Sequence, residues 1–255
     1  DIEKYGGYLN AYTDKRYTFF YVKMLPEYLM NALDVLTDLV CNPIFPIDEI
    51  EKEKMVVLEE ISMYEDNPDD SILELFFEHS YSDSFMGWPV LGTRKIISDI
   101  TRESIVEYWE NLYQLDNMII SVSGKYDEEK ILGYLNRLTL KKKALKKENA
   151  KPQFSYGTGY KEKEVEQAHM AIGVETFSLY DERKYALNLL NIILGADSSS
   201  RLYLNIREKL GLCYSISSSV HLDEKSGLLT VFTSSHPKQL VKIMDAIMEE
   251  IKGLK

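Results

Sequence analysis

The first part of the chain has a pattern that predicts a β-hairpin followed by a helix. Aromatic and β-branched residues fill 8–13 and 17–24, and a short charged stretch separates them, which favours two strands joined by a turn. Leucines then recur at helical spacing between Pro26 and Val40, and Asn42-Pro43 ends that run. We therefore predict a hairpin and then an amphipathic helix that starts at Pro26.

Helical periodicity dominates the rest of the first half. A helix is predicted from Pro46 to Glu65, and the break at Asn67-Pro68 separates it from a helical segment that reaches His79. Thr101 is a candidate N-cap, because its hydroxyl can accept a hydrogen bond from the first turn of a helix. The other elements predicted in this half are a loop at 81–92, a helix from Thr101 to Leu112, a strand at 118–122 and a helix at 127–138.

The helical pattern stops at residue 139. Five lysines lie between 141 and 147, and Pro152, Gly157 and Gly159 follow, which is typical of a connection between domains. The predicted parts are a first domain at 1–138, a linker at 139–159 and a second domain at 160–255. The elements predicted in the second domain are a strand at 167–174, helices at 181–194 and 199–210, a hairpin of 214–222 with 228–235, and a helix at 237–251.

One stretch of each half contains the same elements in the same order. A hairpin, a proline and an amphipathic helix follow each other at 8–40 and again at 214–251, with Pro26 and Pro237 in the first helical turn. This repetition predicts an α+β fold of two similar domains, each an antiparallel-rich sheet backed by helices. Residues 1–7 resemble a helix end at a glycine, so the first domain is expected to lack its start and the second to be incomplete at its C-terminus.

Composition and charge narrow the classes of function. The chain has 255 residues, 45% of them hydrophobic, so it can form substantial cores. A net charge of -11 opposes nucleic acid or an anionic membrane as the main partner and favours basic peptides. No stretch approaches the roughly 18 apolar residues of a membrane span. Two cysteines without metal-ligand spacing indicate a reducing compartment, and we take the cytoplasm as the default.

The helix predicted at 46–65 carries the most informative carboxylates. On a helical wheel Glu53 and Glu60 share one strip, between an apolar stripe (Ile50, Val57, Ile61, Tyr64) and the pair Val56 and Met63. Glu59 faces the opposite side. Carboxylates enclosed by apolar neighbours favour a metal or a cationic partner, because an unpaired buried charge is costly. The alternative is a partly exposed acidic edge of an amphipathic helix.

A second candidate lies where a helix ends at Gly211 and a strand begins. Arg207 and Tyr214 flank this junction, and element junctions are frequent functional positions. The alternative is that Arg207 complements the helix dipole and Tyr214 packs. None of the four histidines lies within five residues of another, so local spacing predicts no metal site.

Several of these segments together resemble one family. The chain resembles the insulinase/pitrilysin-type zinc metallopeptidases, closest to bacterial processing proteases similar to the mitochondrial processing peptidase. The resemblance rests on the stretches at 6–13, 51–61, 89–93 and 199–214. By this resemblance Glu60 is the third zinc ligand and Glu53 a supporting catalytic carboxylate. Asn10 and Ala11 are on the strand that pairs with the substrate backbone.

The resemblance also implies a site shared by the two domains. Arg207 and Tyr214 are expected to reach from the second domain to the substrate carbonyl near Zn²⁺, which activates a water for attack on a peptide bond. The implied substrates are peptides or unfolded protein segments. A homodimer is a possible assembly.

The His-x-x-Glu-His motif of the family, which supplies two zinc ligands and the general base, does not occur in this sequence. It is expected upstream of Asp1, so this chain alone is expected to be inactive and the intact protein to be a zinc-dependent endopeptidase. The alternative is a non-catalytic subunit or paralogue of the same fold that acts in assembly. Retention of Glu53, Glu60, Arg207 and Tyr214 argues against that alternative.

Overall fold

A computed structural model of the chain describes residues 2–139 and 150–254. The residues group into two compact units. The first combines Asp1–Ile61 with Val90–Asn149, and the second combines Ser62–Pro89 with Ala150–Lys255. None of the helices in the described ranges is long and apolar enough to span a membrane.

Five strands and eight α-helices form the described part of the chain. The strands are β1 Tyr8–Thr13, β2 Thr18–Lys23, β3 Ala168–Glu175, β4 Ser215–Leu222 and β5 Gly227–Ser235. The helices are α1 Leu29–Cys41, α2 Ile47–Asp66, α3 Pro68–Ser80, α4 Arg94–Asp99, α5 Arg102–Leu112, α6 Glu128–Leu135, α7 Lys184–Leu194 and α8 Leu240–Lys252. A π-helical segment, Tyr203–Lys209, precedes β4. Mixed helices and antiparallel sheets confirm the predicted α+β class.

The first unit contains the predicted hairpin. β1 and β2 pair antiparallel, with Tyr8 opposite Lys23 and Thr13 opposite Thr18. A 3-10 turn, Pro26–Tyr28, leads into α1, so the predicted start at Pro26 is correct but its first turn is tighter than an α-helix.

Long-range hydrogen bonds to backbone carbonyls fasten the helices of the first unit. The indole of Trp109 on α5 donates to the carbonyl of Val40 at 2.9 Å. The guanidinium of Arg102 donates to the carbonyl of Phe45 at 2.8 Å. Phe45 has a φ of 45°, a conformation unusual for a residue with a side chain. Arg102 thus stabilises the sharp connection between α1 and α2.

The second unit is built on a three-stranded antiparallel sheet in the order β3-β5-β4. One face packs against α8 and the π-helical segment through a cluster of buried residues. The cluster contains Leu194, Leu202, Ile206, Ile216, Val231, Ile243 and Ile247. On the other face, Phe76 of α3 lies against Gly173 of β3, where an added Cβ would come within 2.3 Å of the ring. Glycine at position 173 therefore lets α3 approach the sheet closely.

One local prediction is wrong, and one element was missed. Residues 118–122 do not pair with any strand in the described ranges, and Ile119 is 98% exposed. An apolar β-branched run becomes a strand only where a neighbouring strand accepts its hydrogen bonds. The short helix α4 was not predicted; Thr93 caps it by accepting a hydrogen bond from the Ile96 amide at 3.3 Å.

The predicted domain division differs from the two units in one respect. Residues 62–89, assigned to the first domain from the sequence, belong to the second unit. The lysine-rich part of the predicted linker at 139–159 lies outside the described residues, at 140–149, whereas residues 150–159 belong to the second unit. The division into two homologous domains stays a prediction.

Candidate functional site

Helix α2 presents Glu53 and Glu60 to solvent. Ile61 is buried and Val57 is half-buried, which confirms the inward face of the predicted wheel, whereas Tyr64 is exposed. Glu53, Glu60 and Glu59 are all exposed. The prediction that apolar neighbours enclose the two carboxylates is therefore wrong for the described part of the chain, because the helix has solvent on this side.

The immediate neighbours of Glu60 are nevertheless apolar. Val56 precedes it by four residues and Met63 follows it by three, positions that adjoin it on a helix surface. Val56 is 57% exposed and Met63 is 71% exposed. Glu60 thus lies in a strip where apolar side chains and a carboxylate face solvent together.

The lysines of α2 pair with other glutamates. Lys52 bonds Glu49 at 2.7 Å and Lys54 bonds Glu51 at 2.9 Å. Among the described residues, Glu60 has no lysine or arginine partner. Its carboxylate is thus available for a partner that the described residues do not supply.

Zinc does not fit the described residues by themselves. A protein zinc site needs at least three protein ligands, and within 2–139 and 150–254 no three His, Cys, Asp or Glu side chains converge in that way. Glu60 can supply one ligand of such a set.

Strand β1 offers a backbone edge on the side away from β2. Asp14 donates its amide to Tyr17 across the turn at 2.9 Å, and because hydrogen-bonded pairs alternate in an antiparallel ladder, Ala11 turns its amide outward. That amide donates to the side-chain oxygen of Asn10 at 2.8 Å. The Asn10 amide group in turn donates to the hydroxyl of Tyr8. Asn10 and Ala11 thus lie together, exposed, on this edge.

Arg207 and Tyr214 meet in the second unit. The guanidinium Nε of Arg207 donates to the carbonyl of Tyr214 at 2.8 Å, and its Nη1 pairs with Glu208 at 3.0 Å. The guanidinium also lies over the ring of Tyr203, 4.5 Å from the centroid. The Tyr214 side chain is 77% exposed. A fixed cation and an exposed phenol are suited to bind a carbonyl or an oxyanion.

A π-helical turn carries Arg207. The amide of Leu210 donates to the carbonyl of Asn205, five residues earlier, at 3.2 Å. The sequence predicted an ordinary helix through Leu210, and no residue type in the segment distinguishes the two forms. Single π-helical turns are frequent at functional sites, because the widened backbone displaces side chains from regular positions.

The thiol of Cys213 adjoins this junction. Burial raises the pKa of Cys213, while the Thr233 hydroxyl and the charge of Arg207 act in the opposite direction. The raised pKa keeps Cys213 a neutral thiol at neutral pH, which does not suit a nucleophile.

An open cavity of about 350 Å³ lies beside this junction, within the second unit. Ser215, the residue after Tyr214, lines it together with Asp69 and His169. Nδ1 of His169 is 2.9 Å from a carboxylate oxygen of Asp69, so this histidine joins α3 to β3. No local pattern indicates this pair, because its two members are a hundred residues apart in the sequence.

The geometry defines a class of protein: an α+β chain with exposed carboxylates on one helix and an arginine–tyrosine pair at a strand start. Residues 1–94 match the family model described as insulinase (peptidase family M16), and residues 99–255 match that of the peptidase M16 inactive domain. The chain belongs to this insulinase family of peptidases.

Individual relatives agree with this assignment. The chain is 37% identical to an uncharacterized zinc protease, YmxG, of Bacillus subtilis, over 100% of this chain and 62% of that protein. A protease from Helicobacter pylori superposes with a TM-score of 0.86 at 21% identity, covering 99% of this chain and 64% of the other. The peptidase M16 inactive domain from Pseudomonas fluorescens superposes with a TM-score of 0.87 at 21% identity, covering 98% and 63%. The chain thus spans less than two thirds of the length of these proteins, and the two structures support the fold alone.

Proposed function

We propose that the chain is part of a zinc-dependent, processing-protease-like endopeptidase that hydrolyses peptides or unfolded protein segments. The observation that carries the proposal is the Arg207–Tyr214 pair, in which two residues of the predicted site meet at 2.8 Å and leave the phenol exposed. The zinc protease name of YmxG and the family membership support the reaction class.

The proposed roles are those that the family resemblance implies for these residues. Glu60 holds the metal together with ligands from a His-x-x-Glu-His motif outside this sequence, and Glu53 supports it from the same helix. The outward edge of β1 accepts the substrate as an added strand, since main-chain bonds give affinity with little demand on sequence. The amide of Ala11, now bonded to Asn10, then donates to a substrate carbonyl. Arg207 and Tyr214 bind the carbonyl that is attacked.

Zinc content and peptide cleavage by the intact protein test the proposal. We expect one zinc per active site by elemental analysis, and cleavage of an unstructured peptide that stops with a chelator and resumes on adding zinc. Absence of both zinc and cleavage in a folded intact protein would contradict the proposal. That result would favour the non-catalytic subunit, particularly if the protein then copurified with a larger partner.

A further inference from the structure

One carboxylate of α8, that of Glu250, bonds the π-helical segment and the helical turn before it. Oε2 of Glu250 accepts a hydrogen bond from Arg201 Nε at 2.8 Å, and Oε1 accepts one from Asn205 Nδ2 at 2.8 Å. Arg201 and Asn205 are four residues apart and so lie on one side of the segment. One side chain therefore bonds Asn205 in the segment that carries Arg207 and Arg201 just before that segment.

Glu250 lies beside the apolar contact between α8 and this segment. Ile243 and Ile247 on α8 pack with Leu202 and Ile206, all four without solvent exposure. Glu250 follows Ile247 by three residues, and its side chain is 16% exposed. A carboxylate in this position is costly unless it is fully bonded, and here it has a charged and a neutral donor.

The contacts continue from Glu250 to the widened turn. Asn205, held by Glu250, is the residue whose carbonyl accepts the five-residue hydrogen bond from Leu210. Its side-chain oxygen also accepts a bond from Lys209 at 2.7 Å. Arg207 lies between Asn205 and Leu210, so its direction depends on this turn. Without Glu250, the amide of Asn205 loses its partner and Arg201 is left half-buried without its carboxylate.

We infer that Glu250 is a positioning residue, which holds the π-helical segment so that Arg207 stays against Tyr214 and points at the substrate. This inference rests on the proposed function for its effect on catalysis. Its structural part, the stabilisation of the segment, stands on the contacts of the second unit alone.

Kinetics of the intact protein test the catalytic part. Glu250→Ala should lower kcat for an unstructured peptide between about tenfold and a hundredfold, since small misplacements of catalytic groups cost that much. Zinc content should be unchanged. Glu249→Ala is the matched control, because Glu249 is 72% exposed and pairs with Lys252 alone among the described residues, so its kcat should stay normal. Glu250→Gln, which keeps an acceptor for Arg201, should recover part of the loss.

A double-variant comparison separates positioning from general damage. If Glu250 acts through Arg207, Glu250→Ala should have no further effect on kcat in an Arg207→Lys protein. Full additivity of the two losses, or a normal kcat in Glu250→Ala, would overturn the inference. Normal turnover in Arg207→Lys by itself would instead contradict the proposed function.

Hydrogen–deuterium exchange provides a readout that does not depend on activity. Exchange at the Leu210 and Leu212 amides should be faster in Glu250→Ala than in the wild type and unchanged in Glu249→Ala. Equal exchange in all three proteins would overturn the inference whatever the kinetics. If Glu250→Ala does not fold, Asn205→Ala serves the same test, because it removes one of the two contacts and keeps the Arg201 pair.

Discussion

At the scale of single residues, Glu59 and Glu60 are adjacent and both exposed, yet on the helix Glu60 shares a strip with Glu53, whereas Glu59 faces away from the stripe that contains Ile50 and Ile61. If Glu60 is the metal ligand, Glu60→Gln should lose zinc in the intact protein, because a neutral amide is a poor zinc ligand. Glu59→Gln should keep its zinc and its turnover. Elemental analysis of both variants checks this, and equal zinc losses would show that the position on the helix does not select the ligand.

Tyr214 allows a second test at this scale. Its side chain is exposed next to a guanidinium, and Tyr214→Phe removes the hydroxyl while keeping the ring. If the hydroxyl stabilises the transition state, kcat should fall on the order of 10²- to 10³-fold, with zinc content and melting temperature unchanged. Tyr156→Phe is a suitable control. Tyr156 is also an exposed tyrosine of the second unit, but in the sequence it is far from the junction between Arg207 and Tyr214. Normal turnover of Tyr214→Phe would mean that the residue is not part of the catalytic machinery.

At the scale of elements, α3 and α5 were predicted from the sequence and begin at capping signals of their own, although α4, which Thr93 caps, was missed. The Asn67 side chain accepts the Asp69 amide at 3.1 Å, and Thr101 and Ser104 form a reciprocal cap, so α3 and α5 begin where their capping residues indicate. Elements that depend on distant partners were not predictable. Residues 118–122 lack a pairing strand in the described ranges, and the π-helical turn depends on contacts with α8.

The residues of the candidate site also differ in how far apart in the sequence their contacts are. Glu53 and Glu60 were candidates from their helical spacing, and Arg207 and Tyr214 from their element junction. The family resemblance then implied their roles, and the contact of Arg207 with Tyr214 spans only seven residues. Glu250 has no motif around it and meets Asn205 across 45 residues. Local patterns therefore indicated the residues expected to contact the substrate and missed Glu250, which bonds the segment that carries Arg207.

The contact of Phe76 on α3 with Gly173 on β3 leads to a prediction about stability. Gly173→Ala would place a Cβ 2.3 Å from the Phe76 ring, so the ring or the helix must shift. We expect the free energy of unfolding to fall by about 1–3 kcal/mol, as it does for other overpacked cores. Gly133→Ala is the control, because Gly133 is exposed on α6 and a Cβ there meets nothing within 4 Å. This variant should raise the free energy of unfolding by about 0.5–1 kcal/mol, since alanine favours a helix more than glycine does. Denaturant unfolding of both variants compares them, and an unperturbed Gly173→Ala would contradict this packing.

At the scale of the whole molecule, the two units share a local design. A 3-10 turn, Pro26–Tyr28 or Pro237–Gln239, leads from a hairpin into a helix of 13 residues in each. The duplicated order predicted from the sequence is thus present in both units. The proposed chemistry is not duplicated, since Glu53 and Glu60 belong to the first unit and Arg207 and Tyr214 to the second. The same local order of elements is thus present in two units that have different proposed roles in one reaction.

This division of roles predicts the outcome of mixing two inactive variants of the intact protein. If one chain supplies both Glu60 and Tyr214 to each site, a mixture of Glu60→Gln and Tyr214→Phe proteins should be no more active than the sum of the two. If instead a homodimer forms each site from the first unit of one chain and the second unit of its partner, mixed dimers regain an intact site. Activity that rises on mixing, after conditions that allow subunits to exchange, would contradict the single-chain site. Sedimentation of the mixture shows whether dimers are present. If they are, and mixing does not raise the activity, each chain contains one complete site.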